Sequence, residues 1–223
     1  MLTDRMPATL PPGTIARLET YAALLATWTR RINLVSRADH AHLWRRHIED
    51  SLRLLPHVPP GISHAIDLGS GAGLPGLVLA IASGVPFHLV ESDRRKAAFL
   101  REAARVTEAP VTVHAERIET VDLVPAPLIT ARALAPLPEL LTLATPLLAK
   151  HGTMLFLKGA RAAEELEAAR ATHRFEVRME GEAASPILVI TLAAAPAPAP
   201  GIAPAPAPAP APTPAPTPAP AHA

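Results

Sequence analysis

The chain has 223 residues, 49% of them hydrophobic, with 21 Lys and Arg against 20 Asp and Glu, a formal charge of +1 and no cysteine. The missing thiols exclude disulfides, thiolate nucleophiles and cysteine-ligated zinc or iron–sulfur centres. A net charge so near zero says nothing about a charged partner, so only local sign is informative.

No basic leader precedes a continuous apolar stretch, and the longest apolar run, Leu77 to Val90, is interrupted by Gly84, Pro86 and His88. The expectation is a soluble cytoplasmic protein without membrane contact. From Ala194 onward the sequence alternates Pro and Ala, holds 12 of the 27 prolines and has one large apolar residue, Ile202. Such a segment tends to extended polyproline II and buries too little surface to offset its ordering entropy, so 194–223 is expected to be a disordered tail.

In chain order, Ile15, Leu18, Ala22, Leu25 and Trp28 recur at helical spacing behind Thr14, an expected N-cap. A second helix is expected behind Asp39, with Leu43, Ile48, Leu52 and Leu55 as its apolar stripe, before Pro56, Pro59 and Pro60 end it. From Trp28 to Arg53 six arginines (Arg30, Arg31, Arg37, Arg45, Arg46, Arg53) face three acids (Asp39, Glu49, Asp50). That excess suits phosphates, and suits a solvated helical face equally well. A metal site at His40, His42 and His47 lacks a supporting carboxylate set, so solvated histidines and no metal are the expectation.

After residue 60 strands and helices alternate. Strands are predicted over Ala65–Leu68, Pro86–Glu91, Val111–His114, Leu128–Ala131 and Thr153–Lys158, with helices over Leu74–Ala82, Asp93–Val106, Leu137–Leu148 and Ala162–Ala171. Arg174–Glu180 and Ile187–Leu192, separated by a short Gly-containing connection, read as a hairpin. The fold class is therefore α/β: a mainly parallel, Rossmann-like seven-stranded sheet with a C-terminal antiparallel hairpin and two added N-terminal helices. The expected division is 1–60 as a helical extension, 61–193 as the core and 194–223 as the tail.

Between the first strand and its helix runs Asp67-Leu68-Gly69-Ser70-Gly71-Ala72-Gly73-Leu74-Pro75-Gly76. Glycines there permit positive φ and let a ligand lie against bare backbone at a helix N-terminus. Gly71 to Gly76 fits the dinucleotide pattern G-x-G-x-x-G, while Asp67-x-Gly69-x-Gly71-x-Gly73 fits the first motif of S-adenosylmethionine (SAM) methyltransferases. Charge separates the two readings, because a carboxylate beside the turn disfavours a pyrophosphate and favours the ammonium and sulfonium of SAM. Glu91, ending the second strand, is placed to accept ribose hydroxyls, the alternative being a surface pair with Arg94 or Arg95.

The segments Arg31–Ser36, Arg46–Leu52, Asp67–Gly76, Thr130–Ala133 and Leu157–Gly159 occur in the order and spacing of one family. The chain resembles, over roughly residues 15 to 192, the bacterial 16S rRNA guanine-N7 methyltransferases (the RsmG or GidB family). The resemblance implies methylation, with SAM as donor, of one guanine N7 in the 530 loop of 16S rRNA (guanine 527 in standard rRNA numbering), on naked RNA or the 30S particle. It implies methionine-side contacts at Gly69 and Leu74, adenine flanking by Ile118 and Glu119, and a further cofactor-site residue at Arg132. Glu91 stands where the family has an aspartate, which keeps the carboxylate on a longer arm.

Asp67, Gly69, Gly71, Gly73, Leu74, Glu91, Ile118, Glu119 and Arg132 are thus the expected cofactor residues, with Arg132 also beside the transferred methyl. Asn33, Arg46, His47 and Lys158 are candidate rRNA contacts, although helix docking explains Asn33, His47, Asp50 and Ser51 about as well. Guanine N7 carries a lone pair and no proton, so alignment and electrostatic stabilisation suffice without a general base. A small-molecule SAM methyltransferase and a non-catalytic SAM- or RNA-binding module remain the alternatives, and a monomer is expected.

Overall fold

The computed structural model describes residues 10–36 and 42–193. Arg37, Asp39, His40 and the 194–223 segment lie outside the described residues.

The first helix, α1 (Thr14–Thr29), starts one residue earlier than its expected cap implies: Gly13, with φ 76°, is the N-cap, and Thr14 is a buried first residue. Its core face is Leu18, Tyr21 and Leu25, while Ile15 is 40% exposed. The next helical segment is a π-turn, Trp44–Glu49, running into the short α2 (Asp50–Leu52). The five-residue step from Leu43 to Ile48 suits that wider winding, and both side chains are buried.

The strands are β1 (Ala65–Leu68), β2 (Phe87–Val90), β3 (Val111–His114), β4 (Ala126–Arg132), β5 (Leu148–Leu157), β6 (Phe175–Glu180) and β7 (Ile187–Leu192). They form one sheet in the order β3-β2-β1-β4-β5-β7-β6, with β7 antiparallel to both its neighbours. Helix α3 (Gly76–Ser83) follows β1, α4 (Arg94–Thr107) follows β2, α5 (Leu137–Ala144) follows β4 and α6 (Ala162–Arg170) follows β5. Pro75 is the N-cap of α3, not its second residue. The expected α5 is shortened because Pro146 lacks an N–H, so Thr145–Leu147 tightens to a 3-10 turn and Leu148 already begins β5.

Alternation along the buried strands divides the core into two layers. Ala65, Phe87, Leu89, Leu128, Leu155 and Leu157 face α1, α3 and α4, whereas Ile66, Val90, Ile129, Met154 and Phe156 face α5 and α6. The carboxyl ends of β1, β2, β4 and β5 carry the glycine turn, Glu91, Arg132 and Lys158 respectively. In open α/β sheets that end is where ligands bind.

Candidate active site

The turn after β1 is built from opposed constraints. Gly69, Gly71 and Gly73 have φ of 63°, 54° and 91°, a region costly for side chains with a Cβ. A Cβ on Gly69 would lie 2.5 Å from Leu134 Cδ1. A Cβ on Gly76 would lie 2.5 Å from Asp67 Cβ, so this glycine lets α3 settle directly on β1.

Glu91 ties the turn to the neighbouring strand. Its Oε2 accepts from Gly71 N at 2.8 Å and its Oε1 from Asp93 N at 2.7 Å. Asp93 in turn caps α4, accepting from Arg95 N and Lys96 N. An ionised carboxylate has about four acceptor positions, so two on Glu91 remain for a ligand diol.

Gly69, Gly71 and Glu91 line a cavity of about 370 Å³ together with Ile118, Glu119 and Leu134. Its charged lining comprises four carboxylates, Glu91, Glu116, Glu119 and Glu139, against two cations, Lys96 and Arg117. Glu119 is exposed and paired with Arg117 at 2.8 Å, which holds its carboxyl below the usual range through that hydrogen bond. A space of this size is adequate for a cofactor. Its negative excess fits a cationic ligand and opposes a pyrophosphate, while bare backbone at Gly71 and the free acceptor positions of Glu91 fit an adenosine carrying a ribose diol.

Four expected cofactor residues, Asp67, Gly73, Leu74 and Arg132, lie outside this lining. Asp67 is wholly buried, with Thr130 Oγ1 donating to its Oδ1 at 2.6 Å across the β1–β4 pairing. Burial pushes its carboxyl up to about 6, against the hydrogen bonds that lower it. Asp67 is therefore a support beneath the turn and not a wall of the cavity. Gly73 packs against Leu77 and Leu100, and Leu74 is a core residue at 8% exposure, so both shape the turn from behind.

Arg132 lies in a second, adjoining cleft of about 660 Å³. Its Nη2 donates to the Arg46 carbonyl at 3.2 Å and meets His47 Nδ1 at 3.0 Å; its Nη1 stands 3.4 Å from Asp50 Oδ2. Because guanidinium only donates, His47 Nδ1 is the acceptor nitrogen. Asp50 also binds Arg53, which reaches the Ser185 carbonyl in the β6–β7 connection. Lys158, its side chain 6% exposed, pairs with Glu165 at 2.6 Å and donates to the Ala135 carbonyl, and Glu165 accepts from Leu137 N at the start of α5. Lys158 thus secures the loop after β4 while edging the cleft. Asn33 is exposed and lies outside the linings of these two cavities.

The larger cleft carries six cations, Arg45, Arg46, Arg53, Arg132, Lys158 and Arg161, against Asp50, Glu165 and Glu182. The two spaces have opposite sign and share one wall, Ala133-Leu134-Ala135. Tyr21 and Thr130 are not among the residues expected at the site. Each carries a signal: a phenol on the core stripe of α1, and a hydroxyl in the middle of a buried strand, must both find partners. Among the described residues no cluster of His, Asp and Glu could hold a metal, and no helix is long and apolar enough to cross a membrane.

Comparison with known proteins shows the family. The family described as rRNA small subunit methyltransferase G (GidB) matches residues 14–184. A protein named ribosomal RNA small subunit methyltransferase G from Granulibacter bethesdensis is 55% identical over 170 residues, covering 76% of this chain and 80% of that protein. One of the same name from Gluconobacter oxydans is 56% identical over 163 residues, covering 73% and 84%. Among solved structures, a ribosomal protein L11 methylase from Lactobacillus delbrueckii subsp. bulgaricus superposes with a TM-score of 0.58 at 14% identity, covering 66% of this chain and 78% of that one. The last likeness concerns the fold alone.

Proposed function

Because the chain belongs to the rRNA small subunit methyltransferase G family, we propose that it transfers the methyl group of SAM to guanine N7 in the 530 loop of 16S rRNA, at guanine 527. The observation that carries this reading is the pair of oppositely charged spaces on either side of Ala133-Leu134-Ala135. A negative cavity suits a cationic donor, a positive cleft suits a polyanionic acceptor, and their shared wall is where the two must meet.

When bound, SAM supplies a methyl group on a sulfonium, already electrophilic. The chain's part is placement. Gly69 and Gly71 offer bare backbone, Glu91 would accept from the ribose diol with its two remaining acceptor positions, and Ile118 and Glu119 would flank the adenine. Asp67, Thr130, Gly73 and Leu74 hold the turn in shape from beneath. Arg132 stands on the acceptor side, and its ties to Arg46, His47 and Asp50 fix the N-terminal segment against the end of β4. Arg45 and Arg46 of the 1–60 region and Arg161 of the 61–193 core meet rRNA phosphates, so the segment around Arg45 and Arg46 is an RNA-facing addition to the core. N7 has no proton to remove, so no side chain has to act as a base; the arginines stabilise the polyanion and the wall aligns the base.

Chemical cleavage at N7-methylguanine in 16S rRNA, from cells with and without the gene, tests the proposal. Cleavage at guanine 527 lost on deletion and restored by the intact gene is the expected result. An unchanged cleavage pattern contradicts it.

A further inference from the structure

Tyr21, the chain's single tyrosine, lies on α1, 51 residues before Ala72 of the glycine turn, and is wholly buried. Its hydroxyl donates to the Ala72 carbonyl at 2.6 Å, and its ring packs 6.4 Å from Phe99 of α4. Burial pushes the phenol well above its usual range, so it remains a donor at every pH of interest.

Ala72 is flanked by two glycines of positive φ, the residues whose backbones rotate most freely. Each polar end of the peptide joining Ala72 to Gly73 is held: the carbonyl by Tyr21, and the Gly73 N–H by the Ser70 carbonyl at 2.6 Å. On the other side Gly71 N is held by Glu91. The turn is thus gripped from the sheet by Glu91 and from α1 by Tyr21. A phenylalanine would fill the same space, so packing alone does not explain the hydroxyl.

We propose that Tyr21 is a positioning residue for the cofactor, fixing the Ala72 carbonyl so that the 69–73 turn keeps its ligand-accepting shape and making α1 a working part of the cofactor site. This rests on reading that turn as the seat of SAM. Without Tyr21 the Ala72–Gly73 peptide would be held at its Gly73 N–H end alone, a share of molecules would leave the competent arrangement, and the apparent dissociation constant for SAM would rise by the inverse of the competent fraction.

The test uses the full chain and Tyr21→Phe, with SAM binding measured by calorimetry and methylation of 16S rRNA measured against SAM concentration. Expected are a five- to tenfold rise in both the SAM dissociation constant and the KM for SAM, with kcat at saturating SAM changed less than twofold. Thr107→Val, which removes another buried hydroxyl bonded to a carbonyl, at Ala103, serves as the comparison and should lower the melting temperature without moving either constant. A Tyr21→Phe protein that melts lower yet binds SAM normally overturns the proposal. If the variant does not fold, 3-fluorotyrosine incorporated into the otherwise unaltered chain labels this one position. A fluorine resonance that shifts with SAM saturation supports the proposal, and one indifferent to SAM overturns it. Failure of the unaltered chain to bind SAM at all would instead remove the site reading, and the role of Tyr21 with it.

Discussion

The two cavities differ in how they are made. The smaller is built on backbone: its turn is fixed by Glu91 on Gly71 N, by Ser70 on Gly73 N and by Tyr21 on the Ala72 carbonyl, with Asp67 and Thr130 buried below. The larger is built on long side chains that cross-brace one another, Arg132 and Arg53 on Asp50 and Lys158 on Glu165, while Arg45 stands exposed at its edge. A cofactor of constant shape can be met by a rigid mould, whereas an RNA acceptor is met by a braced positive floor with exposed arginines at its edge. Substitutions should therefore separate donor binding from acceptor binding.

The largest expected effect is on the mould. Glu91→Ala leaves Gly71 N and Asp93 N without their acceptor and takes away the acceptor for the ligand diol. Hydrogen bonds to a charged group contribute about 1.5–3 kcal/mol each, so SAM affinity should fall by about 10- to 100-fold in calorimetry, with Glu91→Gln intermediate. Unaltered SAM affinity in both variants would remove Glu91 from the site.

Arg132→Ala comes next and should divide the two spaces. The guanidinium lines the cleft and holds the Arg46–Asp50 segment, so kcat/KM for RNA should drop by about 100-fold, roughly 2.7 kcal/mol. SAM affinity should change by less than about threefold. A loss confined to SAM binding would move Arg132 back to the cofactor side.

Arg45→Ala and Arg161→Ala should act more weakly and only on RNA. Each is expected to weaken binding severalfold and to reduce the salt slope of log K by about one for each phosphate that is no longer neutralised. A slope unchanged by either would show that the RNA lies elsewhere.

The smallest effect concerns Asp67 and pH. Its folded value of about 6 lies above its ordinary 3.8, so between those values the folded chain binds more protons at this position than the unfolded chain. Its contribution to stability is therefore most favourable below about pH 4, declines as pH rises and is least favourable above about pH 6. Asn accepts the Thr130 hydrogen bond without ionising. The melting temperature of Asp67→Asn relative to the unaltered chain should rise from pH 4 to pH 7. A difference flat in pH would place the carboxyl in a more polar setting.

Local chemistry is legible in the sequence and long-range pairing is not. The bounds of β1, β3 and β7 follow from short apolar runs between turn residues, and the position of Glu91 follows from its place at the end of β2. The charge of Asp67 favours SAM when the turn is read as a string, but that side chain points under α3, because Gly76 admits close packing and Thr130, on another strand, supplies its partner. The sign that matters at the cavity comes from Glu91, Glu116, Glu119 and Glu139, brought together from the β2–α4 connection, the β3–β4 connection and α5. The place of Arg132 at the end of β4 is legible, yet the cleft it lines depends on Asp50 and His47, 80 or more positions earlier. Tyr21 is hidden because a core stripe does not reveal where a phenol's one hydrogen bond goes.

The most direct test is transfer by the purified full chain of labelled methyl from SAM to unmodified 16S rRNA and to assembling 30S particles, followed by mapping of the product. One methyl per rRNA, at guanine N7 in the 530 loop, is the predicted result. No incorporation into either substrate, or incorporation at another atom or site, would contradict the account.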